Sequence, residues 1–362
     1  MNSGNVVLPL RLTIPVCYRL DRQRSDFYNL RSEHNTGKQV ALSINVYRNA
    51  RYIFLFAAVV FFLGMTVPVT AAALEDEPKQ LTTTQAVILG IVEGLTEYLP
   101  VSSTGHLLVT KTLLGMDTVA PDMARQATED AAINAYLVCI QFGAILAILF
   151  VCAHRFSAIL KGMFQGDAQG RRLLANLILA LLPAVVIGLL LEGLIKKFLF
   201  GTFPVIAAWF VGGVAILYIS SYFKNRQKDL HQGKALEEIG FRTALLIGVA
   251  QCLAMWPGVS RSLATILGGL FLGLSMQATV EFSFLLGAVT LTAASVYDVL
   301  KHGSDMLAVL EIRSMILGLV FAFLAAVLSV KWMIAYLNKY GLEIFGYYRI
   351  GLALVTAWIY FL

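Results

Sequence analysis

The chain has 362 residues, of which 58% are hydrophobic and only 14% charged, with a mean hydropathy of +0.74. Soluble domains carry roughly 25% charged residues, so a water-soluble globular protein is excluded and an all-α, polytopic membrane protein is expected. The net charge of +6 is modest and no basic run is interleaved with aromatics, so cytoplasmic loops account for it and nucleic acid does not.

Residues 1–80 read as an N-terminal extension. Residues 1–51 are polar and basic, with Arg11, Arg19, Arg22, Arg24 and Arg31 among their cations, and lack a periodic apolar face, so little independent structure is expected there. A misassigned start codon is an alternative source of such a leader. In 52–73 an apolar run from Tyr52 to Pro68 follows Arg48 and Arg51 and leads to Ala71-Ala72-Ala73. That order is the mark of a secretory signal peptide. The competing reading is an extra transmembrane helix, for which the run is short of the ~20 residues a span needs.

The membrane domain is expected over 81–362. Its apolar segments are 84–99, 106–116, 132–152, 173–195, 203–223, 241–256, 262–274, 279–300, 314–336 and 344–362. Four of them are too short to cross comfortably. Paired, they make two re-entrant helical hairpins, 84–116 and 241–274, and six full crossings remain. Irregular backbone at such tips is tolerated only where protein or a water-filled cavity surrounds it.

The first tip concentrates polar chemistry in apolar surroundings. Glu93 and Glu97, four apart, share one helix face. Pro100 breaks that helix. Ser102, Ser103 and Thr104 then offer N-caps for a second half-helix that His106 would begin. Buried carboxylates are costly in hydrocarbon and by default mark a functional site.

The second tip has the same grammar 158 positions later. Gly90 falls on Gly248, Glu93 on Gln251, Val101 on Val259, Ser102 on Ser260 and Ser103 on Arg261. Pro257 and Gly258 supply the break, and Ser260, Ser262 and Thr265 supply hydroxyls. Interrupted segments at matching places in two halves point to an inverted repeat with a site at its interface. Repeat one covers about 84–223 and repeat two about 241–362.

These two stretches resemble the motifs of the undecaprenyl-diphosphate phosphatase (bacitracin-resistance) family of bacterial membranes. That family carries E-x-x-x-E followed by P-V-S-S-T-G-H, here Glu93 to His106, and P-G-x-S-R-S-x-x-T, here Pro257 to Thr265. The resemblance runs from about Thr84 to Leu362. Leu263 stands where many members have a small residue, and the first eighty residues have no counterpart. The resemblance implies hydrolysis of undecaprenyl diphosphate to the monophosphate and inorganic phosphate. It also implies recycling of the lipid carrier for cell-wall polymers, and bacitracin resistance. Within it, Ser103 is the favoured nucleophile.

The residues allow specific roles. Glu93 and Glu97 suit a hard divalent cation, Mg²⁺ or Ca²⁺, or one of them is a general base. Glu93, Glu97, Ser103, His106 and Arg261 form the expected catalytic set, with His106 as base, acid or attacking group. Ser102, Thr104, Ser260, Ser262 and Thr265 are the expected substrate-binding hydroxyls. Arg261 has a planar fork suited to phosphate, and an internal salt bridge to Glu93 or Glu97 is the structural reading of the same residue. The four cysteines show no metal-ligand spacing and read as small buried hydrophobes.

Loop charge sets an orientation. With residue 84 outside, the loops 153–172, 224–242 and 331–343 hold 11 Lys and Arg against 6 in the outer loops. The positive-inside rule then makes the former cytoplasmic, in a bacterial inner membrane with the centre open to the periplasmic side. The partners are a polyprenyl diphosphate lipid and the membrane, and a homodimer is allowed. The main rival is a transporter or flippase of a lipid phosphate or small anion, because broken helices in inverted repeats also build transporters.

Overall fold

The computed structural model describes residues 81–116, 123–225, 232–309 and 312–361. The N-terminal extension, including the signal-like segment at 52–73, lies outside them. The described residues are helical, with a single isolated bridge between Lys234 and Leu274.

In chain order the helices are α1 Thr83–Thr96, α2 Ser103–Leu113, α3 Met123–Val151, α4 Ala153–Gln165, α5 Ala168–Leu199 and α6 Thr202–Asn225, then α7 Phe241–Gln251, α8 Arg261–Phe271, α9 Met276–Val309, α10 Ile312–Tyr340 and α11 Glu343–Phe361. A 3₁₀ turn, Cys252–Met255, extends α7. Five segments are long and apolar enough to cross a membrane, lying in α5, α6, α9, α10 and α11. A sixth crossing is reached only when Tyr136–Val151 of α3 and Ala153–Gln165, α4, which meet at a bend of 81°, are taken together as one broken span. Large apolar side chains such as Leu190 and Phe150 face outward, as a lipid-facing surface requires.

Helix starts follow local chemistry. Thr82 and Gln85 form a capping box for α1, with Thr82 Oγ1 accepting from the Gln85 N–H at 3.3 Å. At the tips, Ser102 caps α2 and Ser260 caps α8, each accepting a backbone N–H through its side chain. The first tip thus restarts at Ser103, three residues before the expected His106. Both capping serines have positive φ, 73° and 80°, a region costly for residues with a Cβ. Two matched outliers 158 positions apart show the repeat in the backbone as well as in the sequence.

Contacts between helices fix the inversion. Gly90 lies against Gly318, Gly94 against Ala322 and Ala325, and Gly143 against Ala322 and Phe323, so α1, α3 and α10 run parallel. Gln141 in α3 meets Ser295, and Arg155, just past the end of α3 in the first turn of α4, meets Glu281, so α9 runs against α3. Gly268 abuts Ala250, and Gly269 abuts Thr279, so α8 runs against both α7 and α9. Hence α7 is antiparallel to α1, and the two hairpins enter from opposite faces. Each hairpin leans on the other repeat: α1 packs on α10, and α7 on α5, where a Cβ at Gly248 would strike the Ala180 backbone.

Candidate active site

The two tips meet. Glu97 is the residue just past α1, and one of its carboxylate oxygens accepts from Arg261 Nη2 at 2.8 Å. Its other oxygen accepts from the Ser103 hydroxyl. A single carboxylate therefore joins a hydroxyl from its own hairpin to a guanidinium from the opposite one. Further bonds fasten the tips: Ser262 Oγ donates to the Leu99 carbonyl at 2.7 Å and Ser260 Oγ to the same oxygen at 3.4 Å.

Arg261 is seated on all sides. Nη1 donates to the Ser283 carbonyl at 3.1 Å, and its guanidinium carbon lies 5.6 Å from the centre of the Tyr98 ring, within cation–π range. The berth exists because position 287 is glycine, since any Cβ there would collide with the guanidinium. Nε has no hydrogen-bond partner, so donor capacity remains.

A cavity of about 330 Å³ opens between the tips. Glu97, Ser102, Ser103 and Thr104 line it from one hairpin, Pro257, Gly258, Ser260 and Arg261 from the other, and Gln141, Gln251, Thr290 and Leu291 from the walls. Gln251 is 3% exposed, and its amide nitrogen has no partner, which leaves a buried donor at the cavity. It occupies the repeat position of Glu93.

Six of the ten expected site residues line this cavity: Glu97, Ser102, Ser103, Thr104, Ser260 and Arg261. The others lie behind it. Ser262 ties the tips through Leu99. Thr265 donates to the Arg261 carbonyl at 2.9 Å and pairs with Ser283 Oγ at 2.6 Å, so it fastens α8 to α9 instead of facing a ligand. His106 is 2% exposed. Its Nδ1 meets the Ser102 carbonyl at 2.6 Å and its Nε2 the Tyr348 hydroxyl at 2.8 Å. A carbonyl only accepts, so the proton sits on Nδ1 and Nε2 accepts from Tyr348 in the neutral ring. The tip motif is pressed flat here: a Cβ at Gly105 would meet the buried Trp209 ring at 2.5 Å.

Glu93 is fully buried, one turn before Glu97, and neither carboxylate oxygen has a hydrogen-bond partner. Such an orphaned pair of oxygens fits a hard cation. Glu97, the second expected ligand, is already engaged on both oxygens. No group of three or more His, Cys, Asp or Glu suited to a metal occurs among the described residues.

Two further charged residues of the apolar segments have specific partners. Glu281 lies inside α9, which starts at Met276. It pairs with Arg155 Nε at 2.7 Å, and Arg155 Nη1 reaches Glu237 at 2.7 Å. Arg349 went unnoticed in the sequence. It is fully buried on α11 and, among the described residues, donates to backbone carbonyls alone: Ala208, Trp209, Pro100, Gly258 and Val259. A lone arginine in an apolar span is the signal that flags it.

Fold and site define an integral membrane protein whose two inverted halves enclose a buried acid, hydroxyl and guanidinium centre. Residues 86–355 match the sequence model of the bacitracin resistance protein BacA family, and the chain belongs to that family. It is 43% identical over 276 residues to an undecaprenyl-diphosphatase of Sorangium cellulosum, covering 76% of this chain and 85% of that protein. It is 41% identical over 281 residues to undecaprenyl-diphosphatase 2 of Rhodospirillum rubrum, covering 76% and 94%. An undecaprenyl-diphosphatase of Methylibium petroleiphilum is 38% identical over 284 residues, covering 76% and 95%.

Proposed function

We propose that the protein hydrolyses undecaprenyl diphosphate to undecaprenyl phosphate and inorganic phosphate, which returns the lipid carrier to cell-wall synthesis and confers bacitracin resistance. The observation that carries this reading is the Ser103–Glu97–Arg261 chain at a cavity between the tips. The names of the relatives support the same substrate.

In this mechanism Ser103 Oγ attacks the terminal phosphorus and passes its proton to Glu97, to which the hydroxyl already donates. The bond to the bridging oxygen breaks and undecaprenyl phosphate leaves. Water then attacks the phosphoserine, Glu97 directs the proton transfer, and inorganic phosphate departs with Ser103 restored. Arg261 leaves part of its grip on Glu97 to hold phosphoryl oxygens, where planar donors stabilise developing charge. Ser102, Thr104 and Ser260 offer hydroxyls beside it. His106, held by Ser102 and Tyr348, orients the tip; it does not act as the base.

Glu93 would hold a Mg²⁺ or Ca²⁺ through its two unpartnered oxygens, with Glu97, one turn on, joining as a second ligand only once Arg261 has let go of it. Such an ion supplies charge neutralisation for a diphosphate. The loop charges favour a plasma-membrane protein with its centre open to the periplasmic side.

The inverted hairpins also favour a transporter of lipid phosphate. Release of inorganic phosphate from detergent-purified protein given undecaprenyl diphosphate separates the two readings, since transport breaks no bond. Phosphate release that vanishes in Ser103→Ala supports hydrolysis at this centre, and none from wild-type protein overturns it.

A further inference from the structure

We infer that Arg349 is a positioning residue that sets the register of the two hairpin tips. This rests on the reading of the tips as the hydrolytic centre.

Arg349 is fully buried, so its charge and its donors must all be satisfied inside the protein. It makes no ion pair among the described residues. Nη2 donates to the Ala208 and Gly258 carbonyls, both at 2.8 Å. Nη1 donates to Val259 at 3.1 Å and Pro100 at 3.2 Å, and Nε donates to Trp209 at 3.4 Å. One guanidinium thus touches the first tip at Pro100, the second at Gly258 and Val259, and the wall helix α6 at Ala208 and Trp209.

Three of these carbonyls need a partner. Pro100, Gly258 and Val259 sit where helix has stopped, and inside a membrane such groups must find donors in the protein. Pro100 lies two residues before Ser102 and three before Ser103, and Val259 two before Arg261. Moving either carbonyl moves the attacking hydroxyl or the phosphate-holding fork. The neighbouring Tyr348 meets His106 at 2.8 Å, so α11 holds the first tip at two points. Space for this clasp is reserved: a Cβ at Gly212 would collide with Nη2. Arg261 is therefore the arginine for substrate, and Arg349 the one for backbone.

A positioning residue should lower turnover more than affinity, since small misplacement at a site can cost about 10²-fold in rate. Two variants test this. Arg349→Lys keeps the charge but cannot span five carbonyls. Gly212→Ala leaves every donor in place and pushes the guanidinium aside. Phosphate release by each variant is measured on undecaprenyl diphosphate, with detergent monodispersity and thermal midpoint as fold controls. Separately, spin labels at Thr104 and Leu253, in a background with the native cysteines replaced, report the distance distribution between tips with and without each substitution. The expected result is a roughly 100-fold fall in kcat with KM within about threefold, and a broadened distance distribution. An unchanged kcat, a loss confined to KM, or an unchanged distribution overturns the role. If wild-type protein releases no phosphate, the hydrolytic reading fails by itself, and the distance measurement still decides whether Arg349 holds the tips.

Discussion

Arg261 and Glu97 stand 164 positions apart and meet at 2.8 Å, with only 11% and 7% of their side chains exposed. Breaking a buried pair from one side strands the other charge, typically at 3–5 kcal/mol. Arg261→Ala should therefore be inactive and also destabilised. Arg261→Ala combined with Glu97→Gln should regain thermal stability while staying inactive, because the stranded carboxylate is gone but the phosphate-holding fork is still missing. Thermal midpoints and phosphate release on the two variants check this. A double variant no more stable than Arg261→Ala would mean that the pair is not a stability element.

Ser103 is expected to carry the phosphoryl group. Ser103→Ala should lower kcat by at least about 10³-fold, the scale on which removal of a nucleophile acts, with the fold intact because Ser102, not Ser103, is the helix cap. Rapid acid quench with diphosphate labelled at the terminal phosphorus should trap labelled protein in the wild type and none in Ser103→Ala. Full turnover by Ser103→Ala would move the attack to another group, such as a water directed by Glu97.

The sequence carried the site's skeleton because the repeat is written twice. Ser102 and Ser260 share their cap, their positive φ and their place after a break, so aligning one stretch with the other predicts both tips and their meeting. Glu97 and Arg261 stand out because charge is rare in apolar segments. Other features depend on register across distant helices. Nothing near Gly287 tells that an arginine from α8 lies on it. His106 turns to Tyr348, 242 positions away, so its short distance along the chain to Ser103 was a poor guide to its contacts. Thr265 likewise faces Ser283 in α9. Arg349 is different, since an isolated arginine in an otherwise apolar α11 was visible, and the physics of buried charge would have selected it.

The two capping serines make a backbone prediction. At positive φ, glycine relieves strain and a cap is lost at the same time. Ser260→Gly should therefore stay within about 1 kcal/mol of wild type, whereas Ser260→Val, which loses the cap and is β-branched at φ 80°, should be destabilised by at least ~2 kcal/mol. Chemical denaturation or thermal midpoints in detergent rank the two. Equal stability would show that the second tip relaxes to ordinary backbone when the serine is replaced.

The cluster at the loop side of α4 sets a pH dependence. Burial pushes the Glu237 carboxyl up, but backbone and Arg155 hydrogen bonds outweigh it and hold the group below its ordinary value. A depressed carboxylate stabilises the fold above its unfolded value, and that contribution is lost as pH falls through the lower folded value. Thermal stability should thus decline on the acid side, below the ordinary carboxylate range, and Glu237→Gln should flatten that limb while lowering stability at neutral pH only slightly, since the pair is half exposed. Glu281→Gln should cost more, because Glu281 is only 11% exposed where it meets Arg155. Identical acid limbs in wild type and Glu237→Gln would assign the decline to other carboxylates.

Glu93 decides the question of a cation. Its two oxygens are buried without partners, so the carboxylate is either protonated or balanced by a positive ion. If an ion is held there, EDTA should abolish phosphate release and added Mg²⁺ or Ca²⁺ should restore it. Glu93→Gln should raise the concentration of ion needed by about tenfold or more, as expected when a direct ligand is weakened. Isothermal titration of the metal into protein without substrate gives a readout independent of turnover, with binding in the wild type and binding weaker by about tenfold or more in Glu93→Gln. Activity insensitive to chelator, with no heat of binding, would leave Glu93 a protonated acid packed behind Glu97, and Arg261 would then meet the diphosphate charge without help from a metal.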